Sequence, residues 1–176
     1  MKVALTGGTC VGKTSVLKQL AKQPEWSVRS CGGVVAETAK DLGITPDALS
    51  NKHHLEIDNA TRQFFVAHDV PMAIDGRFLT YVLAEAANNL FVVELSATSE
   101  VRAERATKRG RESITSSEDL IKNSDAHDKD FCEKMYANIV PLCPNIIIDT
   151  SLLTVDEVTQ RILQELEIFR AKFCAE

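Results

Sequence analysis

Short apolar runs alternate with amphipathic stretches along the whole chain. Lys2–Thr6 reads as a buried strand, and the glycines after it give way to a helix over Lys13–Lys22. Ser27–Ser30 is a second strand. Val34–Leu42 has helical spacing that Gly43 would end, and Pro46 is suited to the first turn of the next helix. Leu55–His68 reads as a longer helix, and Pro71–Asp75 as a strand introduced by its proline. Arg77–Ala87 is expected to be helical and Leu90–Leu95 a strand. Ser99–Lys108 is expected to be a helix capped by Thr98. After Gly110 the chain turns polar for about 20 residues, and Asn145–Asp149 is the last strand. In the final helix Val155, Val158, Ile162, Leu166 and Phe169 step by three and four, with Thr154 as cap.

Strand and helix in alternation imply parallel strands joined by crossover helices on both faces. The expected fold is a three-layer α/β/α sandwich around a five-stranded parallel sheet, of the P-loop NTPase kind. Residues 1–176 form one domain, because no repeat, low-complexity tract or linker divides them.

The chemistry is concentrated in the first turn. Gly7-Gly8-Thr9-Cys10-Val11-Gly12-Lys13-Thr14 matches G-x-x-x-x-G-K-[ST] at every fixed position. Glycines permit the dihedrals by which successive backbone N–H groups close around a phosphate, and the helix that follows adds its positive end. Lys13 would reach the β- and γ-phosphates of ATP, and the Thr14 hydroxyl would hold Mg2+, with Ser15 completing the turn. The motif follows a strand and opens a helix, which is the context it needs.

Further candidates follow from position. Asp75 ends a strand, in the crevice where open α/β sheets bind ligands, and Arg77 lies two residues beyond it. Arg77 could fork onto a substrate phosphate. Arg102, Arg105 and Arg109 share a helical face, and Lys108 and Arg111 extend the charge. Such a cluster can stabilise the spread charge of a transferring phosphoryl group. Against these stand plainer roles, with Asp75 as a helix cap and each arginine as a solvated surface residue. A GTPase is disfavoured, because Asn51-Lys52-His53-His54 lacks the aspartate of a guanine-binding motif and no DxxG is in place. The histidines at 53, 54, 68 and 127 are assigned no metal or general-base role, since phosphoryl transfer has little need of a strong base, and His53-His54 in its polar stretch is read as solvated.

Composition narrows the class. A net charge of −5 opposes general nucleic-acid binding. No apolar run is long enough to span a membrane, and no secretory signal is evident, so a cytoplasmic location is expected. The five cysteines form no CxxC and no zinc spacing, and read as reduced thiols.

Taken in order, these pieces resemble the cytidylate kinases, most closely their short archaeal form. The likeness runs from the glycine-rich loop through Ser30-Cys31-Gly32, Asp58 and Arg62, and Asp75-Gly76-Arg77. It continues through Leu95-Ser96-Ala97 and Val101–Arg105 to Ile148–Ser151. The resemblance implies a core, a helical monophosphate-binding region over about 33–69 and a lid over about 109–130. It implies that Ser30, Gly32, Arg62 and Arg77 hold the acceptor nucleotide. Residues from Arg105 to Arg111 would arm the lid, and Thr150 and Ser151 would lie beside the adenine of ATP. The reaction implied is phosphorylation of a nucleoside monophosphate, CMP or dCMP first, by ATP with Mg2+. Two positions depart from the family's pattern: Ala36 and Glu37 stand where it usually has an arginine, and the lid reads Asp125-Ala126-His127-Asp128-Lys129-Asp130. A lysine or neutral histidine does not repair a lost bidentate arginine. Three readings stay open: Arg62 takes over the monophosphate, the acceptor is another small molecule on the same scaffold, or catalysis is weak and the chain is an ATP-binding module.

Overall fold

The computed structural model describes residues 1–68, 71–86, 89–110 and 116–173. Five strands, β1 (Lys2–Thr6), β2 (Ser27–Ser30), β3 (Met72–Asp75), β4 (Leu90–Ser96) and β5 (Ile146–Asp149), form one sheet in the order β2-β3-β1-β4-β5. Every pairing is parallel. The helices are α1 (Lys13–Leu20), α2 (Cys31–Asp41), α3 (Asn51–Ala67), α4 (Leu79–Val82), α5 (Ser99–Lys108), α6 (Ser117–Met135) and α7 (Val155–Phe173).

The period-two alternation of the central strands fills both faces of the sheet. Val3, Leu5, Phe91, Val93 and Leu95 pack with Val16, Leu17 and Leu20 of α1 and Val158, Ile162 and Leu166 of α7. Ala4, Met72, Ile74, Leu90 and Val92 pack with Phe65 of α3, Leu79 and Val82 of α4, and Phe131 of α6. Strands buried on two faces need continuous apolar sequence, which is why β1 and β4 carry so few polar residues. Two smaller clusters matter for the site. Cys10 packs with Ala103, Ala106 and Ile121, which ties the glycine-rich loop to α5 and α6. Ala39, Leu49 and Ile57 hold α2 against α3.

Several boundaries differ from the sequence expectation. α2 begins at Cys31 rather than Val34: Ser30 caps it directly from the end of β2, its hydroxyl accepting from Gly33 N at 3.3 Å. α3 begins at Asn51 rather than Leu55, because Ser50 and His53 form a reciprocal capping box. The helix expected over Arg77–Ala87 is only α4 and a 3-10 turn at Ala84–Ala86, with residue 87 outside the described residues. The Thr80 carbonyl, which a continuing helix would use, accepts instead from Leu142 N at 3.0 Å. The polar stretch after Gly110 contains a full helix, α6, which ends at Met135; residues 111–115, Arg111 among them, lie outside the described residues. No described helix is long and apolar enough to cross a membrane. Cys10, Cys31, Cys132 and Cys143 are free thiols, and Cys174 lies outside the described residues.

Candidate active site

The loop between β1 and α1 takes a shape only its glycines allow. Gly7 and Gly12 have φ of 128° and 104°. A Cβ on Gly7 would stand 2.1 Å from the Leu95 carbonyl oxygen, so the loop runs against β4 without room for a side chain. Cys10 also has positive φ, at 63°, and is held there by its burial against α5 and α6.

The outer edge of the loop is bonded residue by residue. Arg102 Nε donates to the Thr9 carbonyl at 2.8 Å, Arg105 Nη1 to the Cys10 carbonyl at 3.4 Å, and Thr150 Oγ1 to the Val11 carbonyl at 2.9 Å. In a planar trans peptide the N–H of the next residue points opposite to the carbonyl. With the carbonyls of 9, 10 and 11 turned outward and satisfied, the N–H groups of Cys10, Val11 and Gly12 face the other side. A concave array of such donors is suited to an anion such as phosphate.

Three side chains converge on that array. Lys13 Nζ donates to the Gly7 and Gly8 carbonyls at 2.7 and 2.6 Å. Burial lowers its pKa to about 8, against the upward pull of Asp75. Thr14 Oγ1 donates to Asp75 Oδ2 at 2.6 Å. Asp75 is buried at 2 % exposure, and its other oxygen, Oδ1, has no hydrogen-bond partner. The strand pairing brings this about, because Asp75 lies in register between Leu5 of β1 and Ser30 of β2. A hydroxyl beside a carboxylate with one unsatisfied oxygen is the hard-oxygen donor set that suits Mg2+, which takes few protein ligands when phosphates supply others. Among the described residues no group of three or more His, Cys, Asp or Glu gathers as a metal cluster.

On the next side, α6 lies across the mouth of the loop. Thr9 Oγ1 is 2.8 Å from Ser124 Oγ. The guanidinium of Arg102 forks onto Asp125 at 2.8 and 2.6 Å, and Arg77 Nη1 donates to Asp128 Oδ1 at 2.6 Å. Asp128 has its pKa raised by burial, against the opposing effect of Arg77. A cavity of about 750 Å3 opens from Gly7, Gly8 and Arg77 beneath α6. One wall is aromatic: Tyr81 and Tyr136 stack with centroids 5.1 Å apart, and Phe78 stacks on Phe131 at 4.9 Å. Tyr136 is fixed by the hydrogen bond its hydroxyl donates to Asp58 of α3. That carboxyl has its pKa raised by burial, against the lowering effect of the hydrogen bond.

The site residues read from sequence are therefore distributed unevenly. Gly7, Gly8, Thr9, Cys10, Val11, Gly12, Lys13, Thr14, Ser15, Asp75 and Arg77 lie together around the loop and the cavity mouth. Arg105 lies beneath the loop, its fork also taking Thr150 Oγ1 at 3.0 Å and Thr150 O at 2.7 Å. Ser151 accepts from Thr98 N at 2.9 Å and donates to Asp149 Oδ1 at 2.6 Å. Arg109 is an exposed helix C-cap. Arg62 is not brought to the cavity; it donates to Glu85 Oε2 and Asn59 Oδ1, both at 3.0 Å. Ser30 and Gly32 begin α2 and do not line the cavity either. The histidines are more engaged than expected: His53 closes the α3 capping box, and His54 meets Phe131 edge-on at 5.6 Å. Sequence reasoning missed Tyr81, Glu94 and Tyr136 as lining residues. For Glu94 a signal existed, a charge inside an otherwise apolar strand. The two tyrosines gave none.

Known proteins can be set beside this geometry. The cytidylate kinase family profile matches residues 48–168. A cytidylate kinase of Thermoplasma volcanium is 25 % identical over 179 residues, covering 95 % of this chain and 92 % of the relative. One from Thermoplasma acidophilum is 22 % identical over 174 residues, covering 95 % and 93 %. In three dimensions a gluconokinase from Sinorhizobium meliloti 1021 superposes with a TM-score of 0.68 at 16 % identity, covering 99 % of this chain and 97 % of its own.

Proposed function

This chain belongs to the cytidylate kinase family of nucleoside monophosphate kinases, and from that premise we propose that it transfers the γ-phosphoryl group of ATP to CMP or dCMP, with Mg2+. The observation that carries this reading is the continuity of the two halves of the site. The cavity starts at Gly7 and Gly8 of the phosphate loop and passes Arg77, so an acceptor inside it would face the end of a triphosphate held by the loop.

The residues divide the work. The N–H groups of the loop and Lys13 hold the triphosphate and neutralise charge on the transferring group. Thr14 and Asp75 would hold Mg2+, whose charge screens the phosphate oxygens when it is bound. Asp75, buried and tied to Thr14, keeps its carboxylate aimed at that position. Arg77 is the cation placed to take the acceptor's phosphate, and to do so it must leave Asp128. Arg102, Arg105 and Thr150 act one step back, keeping the loop carbonyls turned away. We assign α6 and the residues before it, about 109–130 in the sequence reading, the part of a lid that excludes competing water. We assign α2 and α3, about 33–69, to the acceptor side of the cleft. Thr150 and Ser151 are the candidates for contact with the adenine.

A second reading has one observation in its favour. Asp128 already neutralises the arginine meant for an acceptor phosphate, on a fold that this chain shares with a gluconokinase. On that reading the acceptor is a small polyhydroxy compound. One assay separates the two. The protein is incubated with Mg-ATP and, in turn, CMP, dCMP, UMP, AMP, GMP, dTMP, gluconate and shikimate, and ADP release is followed. Turnover confined to the cytidine monophosphates is expected. Turnover with a sugar acid and none with CMP would transfer the assignment to the second reading.

A further inference from the structure

We propose that Glu94 is the specificity-determining residue of the acceptor cavity, its carboxylate accepting hydrogen bonds from the exocyclic amino group of the acceptor's base. The inference rests on the reading of this cavity as the acceptor site.

Glu94 sits near the end of β4, in register with Thr6 of β1 and Ile147 of β5. A charge in the middle of a sheet is costly to bury without a partner. The other charged groups lining the cavity have one. Arg77 is bonded to Asp128, Asp125 to Arg102, and Lys129 lies 3.9 Å from Glu133. Glu94 makes no hydrogen bond or ion pair with any described residue, although it is only partly exposed and lines the cavity. It shares the sheet face of Leu90 and Val92, which is the face covered by Phe78, Tyr81 and Tyr136.

The cavity therefore has three chemical zones: a cation at Arg77 near the loop, a flat aromatic wall, and an acceptor-only carboxylate on the floor. At about 750 Å3 it is within the range of small-ligand sites. A nucleoside monophosphate matches the three zones with its phosphate, its ring and a ring substituent. A carboxylate can accept hydrogen bonds and cannot donate them, so it favours an amino group over a carbonyl at the ring edge. Cytosine carries an amino group where uracil carries a carbonyl, whose oxygen would repel the carboxylate. A site built around a buried hydrogen-bonding group discriminates strongly against a ligand that leaves it unpaired.

The test is the ratio of affinities rather than an affinity. Binding of CMP and UMP is measured by calorimetric titration for the wild-type protein and for Glu94→Gln, which keeps the shape but can both donate and accept. The wild-type protein should bind CMP about tenfold or more tightly than UMP, and Glu94→Gln should bring the two within about threefold. Retained fold is checked by an unchanged melting temperature. Equal binding of CMP and UMP by the wild-type protein, or an unchanged ratio in Glu94→Gln, would overturn the assignment. A destabilised Glu94→Gln leaves the wild-type ratio, and the same ratio for Glu94→Asp, to decide: a shortened carboxylate should keep the preference for CMP at lower affinity. Because binding is read without turnover, the outcomes separate. Cytosine selection through Glu94 without ADP release would sink the kinase reaction and keep this inference; ADP release from CMP with no role for Glu94 would do the reverse.

Discussion

The glycine-rich loop and α6 meet across the same cleft, yet they were built in opposite ways. The loop's function is local. Eight consecutive residues, Gly7 to Thr14, supply the dihedrals, the donors, the cation and the hydroxyl proposed for Mg2+. Distant residues support it, holding its carbonyls back, packing Cys10 and accepting from the Thr14 hydroxyl. The α6 side is assembled from single residues that are far apart in the chain: Arg77 with Asp128, Arg102 with Asp125, Thr9 with Ser124, and Asp58 with Tyr136. Local devices tolerate change around them and fail when one of their own residues is lost. Assembled ones fail by degrees, since each pair contributes a modest share.

The largest effect should come from the local device. Lys13→Ala removes the only side-chain cation of the loop and should lower kcat on the order of a hundredfold or more, by analogy with loss of a single transition-state donor. Steady-state ADP release measures it. Near-normal turnover would mean the loop is not where phosphate transfers, and the comparison between the two sides would collapse.

The same lysine gives a pH signature that is smaller at ordinary pH. Its pKa in the free protein is lowered to about 8, burial being the main cause. Only the protonated form attracts phosphate, so kcat/KM for ATP should fall above pH 8, by about tenfold per unit, because that ratio reports the free enzyme. Bound phosphate favours the charged lysine, so kcat at saturating ATP should hold to higher pH. A kcat/KM profile flat to pH 9.5 would mean Lys13 is not desolvated as the structure has it.

The contrast between the two sides is also why one was legible in the sequence and the other was not. The loop's shape could be read, and a role proposed for it, because its residues are contiguous and the motif is spaced by mechanics. The strands β1, β2 and β5 and the capped helix α5 were equally plain, since alternation, length and a Thr98 cap are local signals. α6 was read from its own residues only as a polar stretch, and by resemblance as part of a lid, because just Ile121 and Phe131 of its residues are buried and the periodicity is faint. α4 was overextended because the competitor for the Thr80 carbonyl, Leu142 N, lies far along the chain. Cys31-Gly32-Gly33 fell between the expected strand and the expected helix, although in the structure Ser30 caps α2 without an intervening residue. The cluster of arginines was visible as a helical face. That Arg102 and Arg105 spend their forks on loop carbonyls, Asp125 and Thr150 could be learned only from tertiary contacts.

The smallest of these effects bears on what α6 does with its carboxylates. The Arg77–Asp128 pair is partly solvated, at 41 % and 15 % side-chain exposure, so it contributes only about 0.2–1 kcal/mol. On the proposed reading, an acceptor phosphate displaces Asp128 to gain Arg77 and meets the aspartate's charge as it enters. Asp128→Asn keeps the volume and removes that charge. KM for CMP should then fall by up to about fivefold, the most that such a pair energy permits, while kcat stays within a factor of about two because Arg102–Asp125 and Thr9–Ser124 still hold α6 over the loop. Steady-state titration of CMP at saturating ATP measures both. The opposite outcome is equally informative: if KM rises, Asp128 holds Arg77 in the pose the phosphate needs, and the carboxylates of α6 are supports for the acceptor side rather than its competitors.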